Sequence, residues 1–400
     1  MAKTEEKLKI CFVIRTIKRG GVEKVLSVIA DSLSNYFDVS VLVLTDSEDL
    51  EGRVLFNNLN CRFFHNPFFY GYRNLNYKDN NLLQKGIRIL KEFTLDISLC
   101  IYNISKYILE EHPDKIICLD PWSLAISIMS RILTKSKNIV IYGWFHISIK
   151  KTYSTARRWF IDRYFINKSD GIITTCKSME NEIKALCPEV SVVTIYNPIT
   201  VNYSNTLIGK PKDKTIFLYV GRLDNKQKRL DRLFYALSLI PYENWELHIV
   251  GDGPDKNVLM QLSKKININT KIVWHGWSQN PWQVLNRVSA VVLSSDVEGF
   301  SLVLAEANYM GIPCISTDCP TGPSEIIENG KNGLIVPLGA DEKMNIKAYS
   351  MALRNVINNP TKLFDSAQVI RKTSIEKFGL DKIVDQWVKL LNYGSSTFIV

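Results

Sequence analysis

The chain has 400 residues, 46% hydrophobic and 22% charged, with 50 Lys+Arg against 40 Asp+Glu and a net charge of +10. That apolar content is ample for a large core and excludes a mostly disordered chain. At about 100–200 residues per domain the length predicts two domains, or three. No apolar run approaches the roughly 20 residues of a membrane-spanning helix. The polar start Met1–Lys7 lacks the apolar h-region of a secretory signal. The expectation is a soluble or peripheral cytoplasmic protein whose basic excess meets an anionic partner: nucleic acid, a phosphoryl ligand or a membrane surface.

In chain order, Lys9 to Ile14 reads as a buried strand, and Val22 to Leu33 carries apolar residues at helical spacing. Val39 to Leu44 is a second strand. Further strands are expected at Lys115–Leu119, Asn138–Tyr142, Gly171–Thr175 and Val190–Ile195, with helical stretches between them. A second series reads as strands at Ile216–Val220, Glu246–Val250, Lys271–Trp274, Ala290–Leu293, Pro313–Ser316 and Gly333–Val336. Strands alternating with helices predict a parallel sheet covered on both faces. The chain therefore reads as α/β, with two doubly wound, Rossmann-like domains at residues 1–197 and 214–378. A linker spans 198–213, and a helix over 379–400 is expected to pack back toward the first domain. Such sheets bind ligands beyond the carboxyl ends of their strands, which predicts a cleft site. The eight cysteines form no Cys-x-x-Cys pair, and several sit in apolar runs such as Ile116-Ile117-Cys118-Leu119, so they read as buried thiols. The five histidines show no metal-ligand spacing.

Three motifs carry chemistry. Arg19-Gly20-Gly21-Val22-Glu23 follows the first strand and opens a helix. Its glycines permit close backbone approach and its helix start offers N–H groups to an anion, although an ordinary tight turn would look the same. It lacks the G-x-G-x-x-G spacing of a dinucleotide site. Next, Arg222 stands just beyond a strand and Lys228 six residues later. Such a pair can grip a diphosphate and hold charge as a bond breaks, or consist of solvated cations near a turn, as Lys226 and Arg229 would also be. Last, in Glu298-Gly299-Phe300-Ser301-Leu302-Val303-Leu304-Ala305-Glu306 a strand gives way to a glycine turn and a helix starting near Ser301. Glu298 reads as an acid in the turn. Glu306 lies in an apolar helical stretch, where a carboxylate is costly without a partner.

Glu298 through Glu306, preceded by Arg222 and Lys228, resembles the E-x7-E signature and basic pair of retaining glycosyltransferases of family 4. Gly20-Gly21-Val22-Glu23 and Val250-Gly251-Asp252-Gly253-Pro254 also look like that family's recurring segments. The resemblance runs from about Lys9 to about Pro337 and implies the GT-B architecture, two Rossmann-like domains around a cleft. It implies that Arg222 and Lys228 hold the diphosphate of a sugar nucleotide, that Glu306 binds ribose hydroxyls and that Glu298 touches the donor sugar. Gly299, Phe300, Ser301 and the backbone of Leu302 and Val303 would line the diphosphate and sugar. Gly276 would meet the nucleobase, and Gly20 and Gly21 would approach the diphosphate from the first domain. His146, in Gly143-Trp144-Phe145-His146, matches the family's first-domain active-site histidine. The family implies retention of anomeric configuration, no cofactor and no bound metal, in keeping with the absence of any Asp-x-Asp. Thr321-Gly322-Pro323-Ser324-Glu325 departs from the common Gly-Gly-x-x-Glu form. It looks like members that add galactose or related hexoses to cell-envelope glycans, lipopolysaccharide core among them, which implies a UDP-hexose donor and a glycan or glycolipid acceptor.

Residues 131–168 hold nine Lys/Arg against the single acid Asp162, so this segment alone nets +8 and the rest of the chain +2. Aromatics interleave, from Tyr142, Trp144 and Phe145 to Trp159, Phe160, Tyr164 and Phe165. The segment reads either as a surface that docks on anionic lipid or a phosphorylated glycolipid acceptor at the inner face of the cytoplasmic membrane, or as a solvated helix face over core aromatics. A second aromatic and basic stretch runs from Arg62 to Tyr77. The competing readings are a sugar-nucleotide epimerase or phosphorylase on the same fold, a dinucleotide oxidoreductase, and a non-enzymatic anionic-polymer binder. No nucleic-acid-binding module occurs, so nucleic acid is not the expected partner.

Overall fold

The structure is a computed structural model. It describes residues 7–17, 20–44, 56, 59–63, 82–149, 156–201, 214–241, 244–359 and 361–394, with the backbone alone at 82–94 and 156–160. Most of the Arg62–Tyr77 stretch, Arg19, Lys150, Lys151, Tyr153, nearly all of the expected linker, and the side chains of Arg157, Arg158, Trp159 and Phe160 lie outside the described residues.

The first sheet is built from β1 (Lys9–Ile14), β2 (Asp38–Val43), β3 (Asn60–Phe63), β4 (Lys115–Cys118), β5 (Val140–Phe145), β6 (Gly171–Thr174) and β7 (Val192–Thr194). All pairings are parallel, in the order β3-β2-β1-β4-β5-β6-β7. Its helices are α1 (Gly21–Leu33), α2 (Leu82–Glu111), α3 (Pro121–Thr134), α4 (Ala156–Ile166) and α5 (Lys177–Leu186). Beyond their opening lysines, Lys9 and Lys115, the strands β1 and β4 are apolar because helices cover both faces: Cys11, Phe12 and Val13 of β1 are fully buried, as are Ile116 and Ile117 of β4. The start of α3 shows how the sequence sets an element. Pro121 opens the helix, where no N–H is needed, and Asp120 caps it by accepting from Trp122 N (2.9 Å) and Ser123 N (3.0 Å).

The second sheet comprises β8 (Thr215–Val220), β9 (Trp245–Val250), β10 (Ile272–Gly276), β11 (Ala290–Leu293), β12 (Cys314–Thr317) and β13 (Gly333–Val336), again all parallel, in the order β10-β9-β8-β11-β12-β13. Around it lie α6 (Asn225–Lys228), α7 (Leu230–Ser238), α8 (Lys256–Lys265), α9 (Leu302–Tyr309), α10 (Pro323–Ile326), α11 (Glu342–Asn358), α12 (Lys362–Phe378) and α13 (Leu380–Tyr393). One hydrophobic core joins Phe217 and Tyr219 of β8, Leu247 and Ile249 of β9 and Phe234 of α7.

The chain divides into two compact units. One holds the first sheet, with Glu180–Ile195 and the chain from Val384 on; the other holds Cys176–Met179 and Tyr196–Ile383. The final helix thus begins in the second unit and ends in the first. There Trp387 is fully buried, its ring 4.8 Å from that of Trp144 and 6.1 Å from Phe12. All eight cysteines are free thiols, and seven are buried. Burial pushes the Cys11 thiol up to about 12, which makes it inert packing.

Candidate functional site

In the second unit the carboxyl ends of β8, β9 and β10 are tied together by backbone bonds. Gly221 N donates to Val250 O (3.0 Å), Leu223 N to Asp252 O (2.9 Å) and Gly251 N to Gly276 O (2.7 Å). The approach is close enough to require glycine at Gly251, where a Cβ would fall 1.9 Å from the Gly221 carbonyl oxygen. This explains the Val250-Gly251-Asp252-Gly253 segment as scaffolding for the turn that carries Arg222. The Tyr219 hydroxyl, on a fully buried side chain, donates to Arg222 O (2.9 Å) and fixes that turn from beneath. The Arg222 side chain is exposed and has no hydrogen-bond or ion-pair partner among the described residues.

Lys228 and Glu298, 70 residues apart in sequence, meet here: Lys228 Nζ lies 2.7 Å from Glu298 Oε1. Glu298 is buried and Lys228 half-buried. The two loops are laced to each other, with Asp296 N donating to Gln227 O (2.9 Å), Gln227 Nε2 to Val297 O (3.1 Å) and Ser294 Oγ to Arg229 O (2.8 Å). From the other side, the Thr321 hydroxyl donates to Glu298 O. Gly322, at φ +96°, lets the loop after β12 press on this turn, since a Cβ there would stand 2.3 Å from Gly299 O. The altered Thr321–Glu325 segment thus buttresses the Glu298 loop.

Glu306 is buried on α9, and both its oxygens are held: Oε1 accepts from Thr200 Oγ1 (2.6 Å), Oε2 from Trp282 Nε1 (2.8 Å). These are the partners that an acid in an apolar helix demands. Neither was readable in the sequence, because they come from separate segments and carry no motif. Phe300 is turned into the core, its ring 5.0 Å from Phe378 and 5.7 Å from Tyr196, so a ligand contact from it has to come from its backbone. Ser301 stands at the N-cap of α9, and Leu302 and Val303 form its first turn. Gly276 ends β10 beyond a bulge at His275, whose Nε2 lies 2.9 Å from His248 Nδ1.

Not every cation near the site is available to a ligand. Arg229 binds Asp231 (3.0 Å), Asp296 (3.0 Å) and Glu342 (2.7 Å), while the buried Arg232 binds Asp296 (2.8 Å), Glu342 (2.7 Å) and Ser294 O (2.9 Å). Burial alone would raise the pKa of Asp296 and Glu342, but bonds from these arginines hold both below the usual carboxylate range. Arg229 is therefore a structural strut and not the solvated cation its sequence position permits. Glu325 likewise caps a helix start, accepting from Lys177 N (2.9 Å) and Ser178 N (2.8 Å). Those bonds outweigh burial and lower its pKa.

In the first unit, β5 runs to Phe145 and His146 follows at once. His146 packs 4.5 Å from the Trp144 ring, its Nε2 is buried with no hydrogen-bond partner, and burial pulls its pKa down to about 3, leaving a neutral imidazole. Gly20 is the N-cap of α1, and Glu23 curls back over it, with Oε2 2.5 Å from where a Gly20 Cβ would stand. The basic segment sorts into two sets. Arg131 is tied to Asp170 (2.5 Å) and to the carbonyls of Ile139 and Lys168, and Tyr142, Trp144 and Phe145 are core. Lys135, Lys137, Arg163 and Lys168 stay exposed beside Ile132, Leu133, Ile161 and Tyr164.

Two parallel-sheet α/β domains with a helical C-terminal end are the GT-B architecture of glycosyltransferases. Residues 207–375 match the family described as Glycosyl transferases group 1. Over 248 residues the chain is 36% identical to the lipopolysaccharide 1,6-galactosyltransferase of Salmonella typhimurium, a match covering 60% of this chain and 66% of that relative, just under two thirds of its length. Among solved structures it is similar to the lipopolysaccharide outer core galactosyltransferase WaaB in its apo form, at 26% identity and a TM-score of 0.73, covering 96% of this chain and 99% of that one. Anabaena HepE in complex with UDP superposes with a TM-score of 0.75 at 16% identity over 96% and 99% of the two chains, a likeness of fold.

Proposed function

We propose that the protein is a retaining, metal-independent glycosyltransferase that moves a hexose from a UDP-sugar to a cell-envelope glycan or glycolipid, of the kind its lipopolysaccharide-acting relatives use. The observation that carries this reading is the Lys228–Glu298 pair at 2.7 Å, beside an unpartnered Arg222 and the start of α9. Arg222 and Lys228 grip the diphosphate, Lys228 sharing its charge between the carboxylate and a phosphate oxygen. The anomeric C–O bond breaks, UDP leaves with the electron pair, and the cations stabilise the charge that develops on it. The acceptor hydroxyl bonds the anomeric carbon on the same face, and its proton goes to the departing phosphate oxygen. Glu298 accepts a hydrogen bond from a donor-sugar hydroxyl, and Glu306 accepts from the ribose. Two cations serve in place of a divalent ion, and no cofactor takes part. In the first unit His146, kept neutral by burial, hydrogen-bonds a polyhydroxyl ligand.

We assign the exposed set Ile132, Leu133, Lys135 and Lys137 at the end of α3, with Tyr164 and Lys168, to an anionic membrane surface, where apolar side chains enter the interface and cations meet lipid phosphate. This makes the protein peripheral on the inner face of the cytoplasmic membrane. No helix among the described residues is long and apolar enough to cross one. The test is a panel of UDP-glucose, UDP-galactose and UDP-N-acetylhexosamines with an envelope glycolipid extract, run with and without chelator. Nucleotide release, product mass and the anomeric configuration of the product are read together. Transfer that persists in chelator with retained configuration is expected; sugar interconversion without acceptor would identify an epimerase instead.

A further inference from the structure

The carboxyl edge of the first sheet carries a cation that the transfer chemistry does not use. Arg15 follows β1 directly, and Trp122 is the second residue of α3, just beyond β4, the strand paired with β1. Their side chains meet there, with the Arg15 guanidinium carbon 4.9 Å from the centroid of the Trp122 ring. Both residues are half-buried, at the rim of the core rather than in it. Trp122 is fixed through its backbone: Asp120 Oδ1 accepts from Trp122 N (2.9 Å) and Ser123 N (3.0 Å), while Asp120 Oδ2 accepts from Ser123 Oγ (2.6 Å). The acid of that loop therefore serves the helix cap. A ring restrains a guanidinium through its face, whereas the N–H fork lies in the guanidinium plane and keeps the geometry that suits a phosphate or carboxylate. In sheet order β1, β4 and β5 are neighbours, and His146 follows β5. Arg15 and His146 thus mark strand ends two inter-strand spacings apart, about 10 Å, on the edge beyond which open α/β sheets bind their ligands.

We propose that Arg15, held by Trp122, binds a phosphate or carboxylate on the glycan acceptor and so selects acidic over neutral acceptors. This deepens the glycosyltransferase reading and rests on it for the role of the ligand. The anion follows from the fork, whose parallel N–H groups engage two oxygens at once. The sugar follows from the company: a half-buried indole offers an apolar face and one N–H, and a small number of placed polar groups on an aromatic wall is the make-up of a site for an amphipathic ring. With a polyhydroxyl ligand at His146, the anion lies about 10 Å away, two spacings along the sheet edge. The contact therefore governs which acceptor is held and takes no part in bond breaking. Arg15 is a specificity residue, and Trp122 is the positioning residue that acts through it.

The direct test is titration of the full chain with glucose 6-phosphate, glucuronate and glucose, followed at the Trp122 indole N–H resonance, which its loss in Trp122→Leu assigns. Wild type is expected to bind one of the two acids at least about tenfold more tightly than glucose, the size of a hydrogen bond to a charged group. Which acid it prefers separates phosphate from carboxylate. Arg15→Gln should lose that preference at an unchanged Tm, and Arg15→Lys should recover part of it, since a point charge replaces a fork. Equal binding of all three sugars overturns the proposal, and so does an acid preference that survives in Arg15→Gln. In the transfer assay with the envelope glycolipid extract, Arg15→Gln and Trp122→Leu should raise KM for the acceptor by about tenfold with kcat and UDP affinity unchanged. Arg15→Gln keeps this informative even if Trp122→Leu folds poorly. A fall in kcat or UDP affinity without a rise in KM overturns the specificity role. If wild type transfers no sugar yet keeps an Arg15-dependent acid preference, the glycosyltransferase reading falls, and the acceptor assignment with it, while the anion site stands.

Discussion

Replacing Lys228 by alanine should do more than lower activity. Lys228 is the only ion-pair partner of Glu298 among the described residues, and the two side chains are 19% and 6% exposed. Removing one member of a fully buried pair costs about 3–5 kcal/mol, because the other charge is left desolvated and unpaired. An exposed pair is worth about 0–1 kcal/mol. With Glu298 buried and Lys228 partly wet, the expected loss in Lys228→Ala is about 2–3 kcal/mol, a large share of the roughly 5–15 kcal/mol that keeps a domain folded. The measurement is urea unfolding of the second unit, followed by tryptophan fluorescence, where the midpoint should fall with the slope unchanged. Adding Glu298→Gln removes the stranded charge and should recover stability to within about 1 kcal/mol, as expected for coupled neighbours. Transfer should drop by about 10²–10³-fold in Lys228→Ala, the size of effect seen when a group stabilising transition-state charge is lost, and should stay low in the stable double variant. A wild-type midpoint in Lys228→Ala would show that the pair does not hold the Glu298 loop in the absence of donor. Full transfer in the double variant would remove Lys228 from the site.

Trp282→Phe keeps a buried ring but deletes the N–H on Glu306, a bond to a charged acceptor worth about 1.5–3 kcal/mol. UDP affinity should fall, and the preference for UDP over 2′-deoxy-UDP should narrow; an unchanged ratio would separate Glu306 from the ribose. Gly251→Ala forces a Cβ to within 1.9 Å of a backbone oxygen and should cost about 3 kcal/mol or more, read as loss of soluble protein or a fall in Tm. The two units should differ in their response to acid. Asp296 and Glu342 are depressed in the folded state, so their contribution is present above about pH 4, the ordinary carboxylate value, and is lost as pH falls through their folded values. Arg232→Met should remove that acid-sensitive contribution. His146 acts in a higher window: held down to about 3, it stays neutral while the unfolded chain takes up a proton below about pH 6.5, so the first unit should weaken on acidification from there. His146→Phe should flatten that slope between pH 6 and 4.

What the sequence disclosed and what it hid follow from how each feature is made. Buried parallel strands are short apolar runs, so nearly all were readable, Ala290–Leu293 and Gly333–Val336 to the residue. β3 was missed because Asn60-Cys61-Arg62-Phe63 is an edge strand with no apolar run. β5 was cut short at Tyr142 because Gly143 interrupts the pattern, yet the position is crowded: a Cβ there would lie 2.8 Å from Ile172. In the candidate site, the residues that announced themselves are glycines and charges set at strand ends. Thr200 and Trp282 did not, since a side chain that orients another from a distant segment leaves no periodic or local signal. Arg229 was misleading for the opposite reason: a cation beside Arg222 and Lys228 looks like part of the same cluster until Asp231, Asp296 and Glu342 are seen around it.

The same bookkeeping changes the meaning of the basic excess. Around the Glu298 loop three cations are already engaged, because Arg229 and Arg232 share three carboxylates and Lys228 has Glu298. Arg222 is the site cation with no protein partner among the described residues. On the proposed function, a diphosphate bringing two or more negative charges would meet one cation outright and would have to draw Lys228 partly away from Glu298. That exchange would give Glu298 a state it lacks before the donor arrives: a carboxylate whose counter-ion is shared, and which is better able to accept a sugar hydroxyl. The proposed site then predicts that donor diphosphate and donor sugar are recognised cooperatively through one lysine. UDP alone should loosen the Lys228–Glu298 contact, and a UDP-hexose should bind more tightly than UDP by a margin that Glu298→Gln abolishes. If the margin survives that substitution, the sugar is held elsewhere, and the lysine does not couple the two halves of the donor.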